Sequence, residues 1–168
     1  MDFEKVVLIG PMGVGKSTLG KLVAAKLNWN YVDNDLDMSI RTNKSIEELS
    51  KLSVPELHAL EAQFILDVIA GDGPFVTGAA ASVIENSKVQ SALLEINAIY
   101  LSIPLAEIYK RTSAGTVGRQ ALNDESDIIK NRYEKRDPLY RKFARKTLNL
   151  GHNPNADAEK LLNLIKQK

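Results

Sequence analysis

The residues with the clearest chemistry lie near the start of the chain, in a glycine-rich loop that ends in a lysine and a serine. The segment from Gly10 to Ser17 reads Gly-Pro-Met-Gly-Val-Gly-Lys-Ser and matches the pattern G-x-x-x-x-G-K-[ST] in full. Glycines let backbone N–H groups turn inward around an anion, and the N-terminus of a following helix adds partial positive charge. The pattern therefore predicts a phosphate-binding loop.

The loop residues have distinct expected roles in holding ATP. Lys16 can reach the β- and γ-phosphates, and the hydroxyl of Ser17 can ligate Mg²⁺. The alternative is a structural glycine turn that precedes a lysine by chance, but a predicted strand before the loop and a predicted helix after it argue against this. The expected ATP-binding residues of the loop are Gly13, Val14, Gly15, Lys16, Ser17 and Thr18.

A pair of carboxylates follows the second predicted strand. Asp33 and Asp35 come at the carboxyl end of that strand, where open α/β sheets bind ligands, so a functional role is favoured. The alternative is that they cap the following helix, a position that Asp prefers. Farther along, Arg136 belongs to a run of basic residues, and a solvated helix face accounts for most of that run.

The elements that must position these residues alternate between short apolar runs and segments of helical spacing. Strands are predicted around residues 6–9, 30–33, 75–77, 98–101 and 147–149. Helices are predicted from Lys16 onward, across 36–70 with a new start near Pro55, and over about 104–112, 126–142 and 155 to the end. The alternation predicts one α/β domain over residues 1–168, with helices on both faces of a central five-stranded parallel sheet. The aperiodic stretch of about 113–127 is expected to be a mobile lid.

Composition narrows the classes of function. The chain has 168 residues, 44% apolar and 26% charged, which is typical of a globular domain, and its net charge of +1 indicates no nucleic-acid partner. The absence of cysteine excludes disulfides and thiolate metal sites. Neither a secretory leader nor a membrane-spanning stretch is recognisable, so a cytoplasmic protein without a membrane partner is expected, as a monomer. The segment 43–46 starts like the guanine-reading motif N-K-x-D but ends in Ile, which argues against a GTPase.

Beyond the phosphate loop, the sequence resembles the shikimate kinase family along almost its whole length. The Pro-Met pair inside the loop, the Asp-Asn-Asp at 33–35 and the Thr-Gly at 77–78 are similar to family motifs, in the family's order. The Arg-Thr at 111–112, the Gly-Arg at 118–119 and the Arg-Asp-Pro-Leu-Tyr at 136–140 continue the match. The resemblance implies a three-layer P-loop kinase fold and transfer of the γ-phosphoryl group of ATP to a hydroxyl of shikimate, with Mg²⁺ as cofactor.

The resemblance also implies a role for each matched residue. Lys16, Asp35 and Arg119 would be catalytic, and Arg111 and Arg119 would bind ATP with the loop. Ser17 and Asp33 would hold Mg²⁺, Asp33 through water. The acceptor-binding set carried over from the family is Asp35, His58, Gly78, Ala79, Ala80 and Arg136.

Two departures from the family pattern fall on the acceptor side. His58 stands where the family has a second arginine for the acceptor's carboxylate, and neutral His cannot reproduce the bidentate fork of Arg. Ala79 and Ala80 replace two glycines of a Gly-Gly-Gly turn, so a tighter pocket or a reshaped turn is expected. The alternatives that remain are a kinase of a different small polyol and a nucleotide-binding relative without shikimate kinase activity.

Overall fold

The computed structural model describes residues 2–113 and 126–167. The strands are β1 (Asp2–Ile9), β2 (Asn30–Val32), β3 (Phe75–Gly78), β4 (Ile96–Ser102) and β5 (Lys146–Asn149). The α-helices are α1 (Lys16–Leu27), α2 (Asn34–Thr42), α3 (Ile46–Ser50), α4 (Val54–Ala70), α5 (Ser87–Leu93), α6 (Leu105–Ser113), α7 (Ser126–Phe143) and α8 (Pro154–Lys166).

All five strands form one parallel sheet in the order β2-β3-β1-β4-β5. The predicted α/β class and the five-stranded parallel sheet are therefore confirmed. Because β1 lies between β3 and β4, the chain turns to opposite sides of the sheet around β1, which creates a crevice at the carboxyl ends of the strands. The phosphate loop begins there, directly after Ile9.

The alternating side chains of β1 show why the molecule has three layers. Val7 and Ile9 belong to one buried core, which includes residues of α4 and α5, whereas Val6 and Leu8 belong to a second core with α1 and α8. A strand buried on both faces reads as a continuous apolar run, as Val-Val-Leu-Ile does. Each face of the sheet is thus covered by its own layer of helices.

Local capping signals explain where two of the helices begin. Ser53 caps α4 with a reciprocal capping box to Glu56, and Pro55 sits in the first turn, as predicted. Asp33 is the N-cap of α2.

Two short elements between β3 and β4 had no counterpart among the predicted elements: a 3₁₀ helix at Ala81–Glu85 and the helix α5.

The predicted lid falls almost entirely on residues 114–125, which lie outside the described part of the chain, as does Arg119. The lid and the role of Arg119 therefore stay predictions.

Among the described helices, none combines the length and the apolar character that crossing a membrane requires.

Gly10, where β1 enters the phosphate loop, cannot accept a side chain without distortion. Its φ is +146°, and a Cβ there would lie 2.7 Å from the carbonyl oxygen of Leu101. We expect Gly10→Ala to lower the free energy of unfolding by about 2 kcal/mol or more, measured by denaturant titration. Gly71→Ala is the matched control, because Gly71 has φ −72° and its nearest contact would be 3.4 Å away. Equal stability of the two variants would contradict this account.

Candidate active site

A cleft of about 550 Å³ opens at the carboxyl ends of the strands. Its walls come from the phosphate loop, the start of α2, the end of β3 and the segment between β5 and α8. Of the predicted site residues that the structure describes, those lining the cleft are Gly13, Val14, Gly15, Lys16, Ser17, Thr18, Asp33, Asp35, Gly78, Ala79, Ala80 and Arg111. The fold thus gathers into one cavity residues that the sequence distributes over about a hundred positions.

Lys16 is held inside its own loop. Its Nζ donates hydrogen bonds to the carbonyl oxygens of Gly10 and Pro11, both at 2.8 Å. The pKa of Lys16 is lowered to about 7, chiefly by burial and then by the positive charge of Arg136, while Glu61 partly offsets both. An ammonium group held this way is desolvated before a ligand arrives, so an anionic phosphate in the loop would stabilise its charged form.

Asp33 both caps α2 and forms an ion pair. Its Oδ1 accepts hydrogen bonds from the backbone N–H groups of Asp35 and Leu36 at 3.1 and 3.2 Å, and its Oδ2 lies 2.9 Å from Nζ of Lys21. Burial raises the pKa of Asp33, but Lys21 and the two amides outweigh it and hold the pKa below its ordinary value. Asp33 therefore caps α2, as one of the two alternatives expected, and its carboxylate stays ionised at neutral pH.

Asp35 occupies the first turn of α2 and is exposed at the wall of the cleft. Asp33 already serves as the N-cap of α2, so Asp35 is not needed for that role. Asp35 lines the same cavity as Lys16 and Ser17. An exposed carboxylate beside a phosphate-binding loop is suited to bind a hydroxyl group and accept its proton.

The turn after β3 shows how alanine replaces glycine without backbone strain. Ala80 has φ −58° and ψ 146°, and Ala79 is not among the residues with positive φ. Neither alanine therefore strains the backbone, and the buried Ala79 lines the cleft. Gly78 is different, because a Cβ there would lie 3.0 Å from Cβ of Lys16.

Arg111 reaches the phosphate loop from α6. Its Nη1 donates to the carbonyl oxygens of Val14 at 3.0 Å and Gly13 at 3.4 Å. These contacts hold the guanidinium against the loop, and Arg111 lines the cleft. The position is compatible with the predicted contact to the nucleotide.

Arg136 and His58 lie beside the cleft and are not among the described residues that line it. The side chain of Arg136 is 13% exposed, and its Nε donates to Oε1 of Glu85 at 2.7 Å. Burial lowers the pKa of His58, and Arg136 lowers it further, while Glu85 opposes this. His58 is therefore mostly uncharged at pH 7 and adds no second cation next to Arg136.

The motif around Arg136 anchors α7 to the rest of the site. The hydroxyl of Tyr140 donates to the carbonyl oxygen of Ala81 at 2.7 Å, and its ring stacks on Tyr100 with the centroids 5.1 Å apart. Asp137 accepts from the hydroxyl of Tyr100 at 2.6 Å. These contacts fix α7 against the turn after β3, so Arg136 has a defined place beside that turn.

Sequence reasoning missed part of the cleft wall and one acidic residue. The missed wall follows β5 and consists of Leu150, Gly151, His152, Pro154 and Asp157. The buried carboxylate of Asp157 accepts twice from the N–H of Gly151, at 2.9 and 3.0 Å. Glu61 also lines the cleft and accepts from the hydroxyl of Ser82 at 2.5 Å. The sequence could have indicated the wall after β5, because any loop at the carboxyl end of a parallel strand is a candidate ligand-binding segment. It contained no comparable signal for Glu61.

Comparisons with known proteins agree with this geometry. The family model described as shikimate kinase matches residues 12–166. The shikimate kinase of Corynebacterium efficiens is 35% identical over 138 residues, which are 80% of each chain. The shikimate kinase of Streptomyces avermitilis is 30% identical over 171 residues, covering 100% of this chain and 99% of the relative.

A solved structure shows the same architecture. The shikimate kinase from Acinetobacter baumannii in complex with shikimate superposes with a TM-score of 0.85 at 25% identity, covering 98% of this chain and 95% of the other. The family model, the relatives and the shared fold therefore lead to one conclusion: the chain belongs to the shikimate kinase family, as its sequence motifs predicted.

Proposed function

We propose that this protein transfers the γ-phosphoryl group of ATP to a hydroxyl group of shikimate. The observation that carries the proposal is the single cleft that joins the phosphate loop to Asp35 and to the turn after β3. Phosphoryl transfer depends chiefly on positioning the two substrates and on neutralising negative charge, and this cleft supplies groups for both tasks. The membership of the chain in the shikimate kinase family supports the choice of acceptor.

The chain's own residues divide the work. The backbone N–H groups of the loop and Lys16 bind the β- and γ-phosphates and neutralise their charge. Asp35 binds the acceptor hydroxyl and accepts its proton as the phosphoryl group is transferred. Arg111 would contact the nucleotide, Arg136 would pair with the acceptor's carboxylate, and the role proposed for Arg119 is to neutralise charge on the transferring group.

The donor set also suits Mg²⁺. Ser17 is an exposed residue of the cleft, and Asp33 lines the same cavity. Both oxygens of Asp33 already have partners, so Asp33 would act through water and Ser17 directly. Hydroxyl, phosphate and water oxygens are the ligands this ion favours in kinases, and when bound it neutralises charge on the phosphates.

The direct test is ADP formation with a panel of hydroxylated acceptors in the presence of MgATP. Release of ADP should depend on shikimate and exceed that with every neutral cyclic or linear polyol in the panel. Absence of turnover with millimolar shikimate would contradict the assignment. ATP binding without turnover on any acceptor would instead identify a nucleotide-binding relative.

A kinase of a neutral polyol is the second candidate, and His58 is the observation that favours it. An acceptor without a carboxylate would need no second arginine at this position, and His58 is mostly uncharged at pH 7. In the panel, a neutral polyol would then give a higher kcat/KM than shikimate. The same measurement therefore separates the two candidates.

Restoring an arginine at position 58 should tighten the binding of shikimate. We expect His58→Arg to lower the KM for shikimate by about tenfold, because a charged, bidentate donor replaces a neutral ring. Gln63→Arg, which adds the same charge to an exposed position of α4, should leave that KM unchanged. No gain from His58→Arg would mean that the pocket binds the acceptor in a different way.

The benefit of His58→Arg should depend on pH. The pKa of His58 lies below its ordinary value of 6.5 because burial and then Arg136 oppose its positive charge. As the pH falls through that lowered pKa, wild-type His58 gains a proton and supplies the missing charge itself, while the acceptor's carboxylate, with a pKa of about 4, stays ionised. The ratio of the two KM values should therefore shrink at acidic pH and be constant above pH 7.

A further inference from the structure

Glu85 connects the acceptor side of the cleft to α7. It ends the 3₁₀ helix that follows β3, and its two carboxylate oxygens bind two different cations. Its Oε1 accepts from Nε of Arg136 at 2.7 Å, while its Oε2 pairs with Nζ of Lys135. The side chains of Glu85 and Arg136 are 30% and 13% exposed, so the arginine is the more buried partner and Glu85 stays accessible to solvent.

The contact uses only one edge of the Arg136 guanidinium. Glu85 binds Nε, and within the described residues neither Nη atom of Arg136 has a hydrogen-bond or ion-pair partner. A guanidinium carries five N–H donors in a fixed fork, and its two Nη groups together match the spacing of a carboxylate. The two Nη groups can therefore bind an anionic ligand while Glu85 remains hydrogen-bonded to Nε.

Lys135 keeps this arrangement from cancelling the charge of Arg136. Glu85, Lys135 and Arg136 together carry one net positive charge, because two cations share a single carboxylate. The positive charge of Arg136 also influences the cleft, because it helps to lower the pKa of Lys16 there. An incoming carboxylate would thus meet a net positive group and not an already neutral pair.

We propose that Glu85 is a positioning residue, which fixes Arg136 through Nε so that both Nη groups bind the carboxylate of the acceptor. The proposal rests on the proposed function, since it takes that carboxylate as the ligand of Arg136. A long side chain that is already fixed loses less conformational entropy on binding. This matters here because His58 provides no second guanidinium, and Arg136 must hold the carboxylate without it.

The test is a kinetic comparison of Glu85→Ala and Glu85→Gln with the wild type. We expect Glu85→Ala to raise the KM for shikimate five- to twentyfold and to leave kcat and the KM for ATP within twofold. Glu85→Gln, which keeps an acceptor for Nε but loses the charge, should lie between the two. Glu159→Gln removes a carboxylate of the same kind from an exposed pair with Lys26 and should change nothing.

The methyl ester of shikimate separates positioning from a general structural effect. Its KM should be the same in Glu85→Ala and in the wild type, because the ester lacks the anion that Arg136 binds. An unchanged or lowered KM for shikimate in Glu85→Ala would overturn the proposal, and a lowered one would show that Glu85 competes with the acceptor. An equal increase for acid and ester would overturn it as well.

Two further outcomes keep the result interpretable. If Glu85→Ala fails to fold, the KM of Glu85→Gln, which preserves the shape of the side chain, decides the question by the same criteria. If the wild type itself shows no shikimate-dependent ADP release, the proposed function fails. Turnover of shikimate with a KM insensitive to both Glu85 variants contradicts only the positioning role.

Discussion

Replacing Lys16 with methionine is expected to lower kcat for shikimate phosphorylation about a thousandfold, the typical effect of removing one preorganised electrostatic donor. The ammonium group sits inside the phosphate loop, 2.8 Å from each of two carbonyl oxygens, and burial lowers its pKa. Binding of ATP would exchange those carbonyl contacts for phosphate oxygens. Methionine keeps the length of the stem and removes only the charge and its hydrogen bonds.

The control for Lys16→Met is Lys26→Met, which removes one positive charge from the same helix. Lys26 is exposed and pairs with Glu159 at 2.7 Å, so its loss should change kcat by less than twofold. Both variants should be compared by ADP release under saturating shikimate and MgATP, with thermal melting as the check on folding. A loss below tenfold in a folded Lys16→Met would mean that the lysine does not neutralise the transferring phosphates.

Much of the fold could be predicted because its signals are local. The run Val6–Ile9 alternates between two cores and had to be a strand buried on both faces. Ser53 and Pro55 mark the start of α4 within three residues of sequence. The phosphate loop is equally local, since its residues that line the cleft follow one another directly in the sequence.

The missed features depend on distances that the sequence does not display. Glu85 pairs with Arg136 across 51 positions, and nothing near Glu85 identifies its partner. The wall from Leu150 to Asp157 joins the site only because α8 packs on α1 and β5 lies in the same parallel sheet. Asp33 illustrates a different limit, because a cap residue and a metal-binding carboxylate give the same local pattern.

Asp35→Asn carries the second large expected effect, a loss of roughly a hundredfold or more in kcat. The amide keeps the size of the side chain but cannot accept the proton of the acceptor hydroxyl, and it lacks the negative charge that makes the carboxylate basic. The site geometry allows this role, because Asp35 is exposed in the same cleft as Lys16 and Ser17. The KM for shikimate should rise as well, since a charged hydrogen-bond acceptor becomes a neutral one.

A purely structural role for Asp35 makes a different prediction. As an acidic residue in the first turn of α2, it stabilises the helix by at most about 1 kcal/mol, and its loss would lower the melting temperature slightly without affecting turnover. Asp72→Asn, at an exposed position outside the cleft, controls for the loss of one carboxylate. Full activity in Asp35→Asn with a lowered melting temperature would assign Asp35 to the helix alone. A folded variant with intact ATP binding and collapsed kcat would instead identify Asp35 as the group that meets the acceptor hydroxyl.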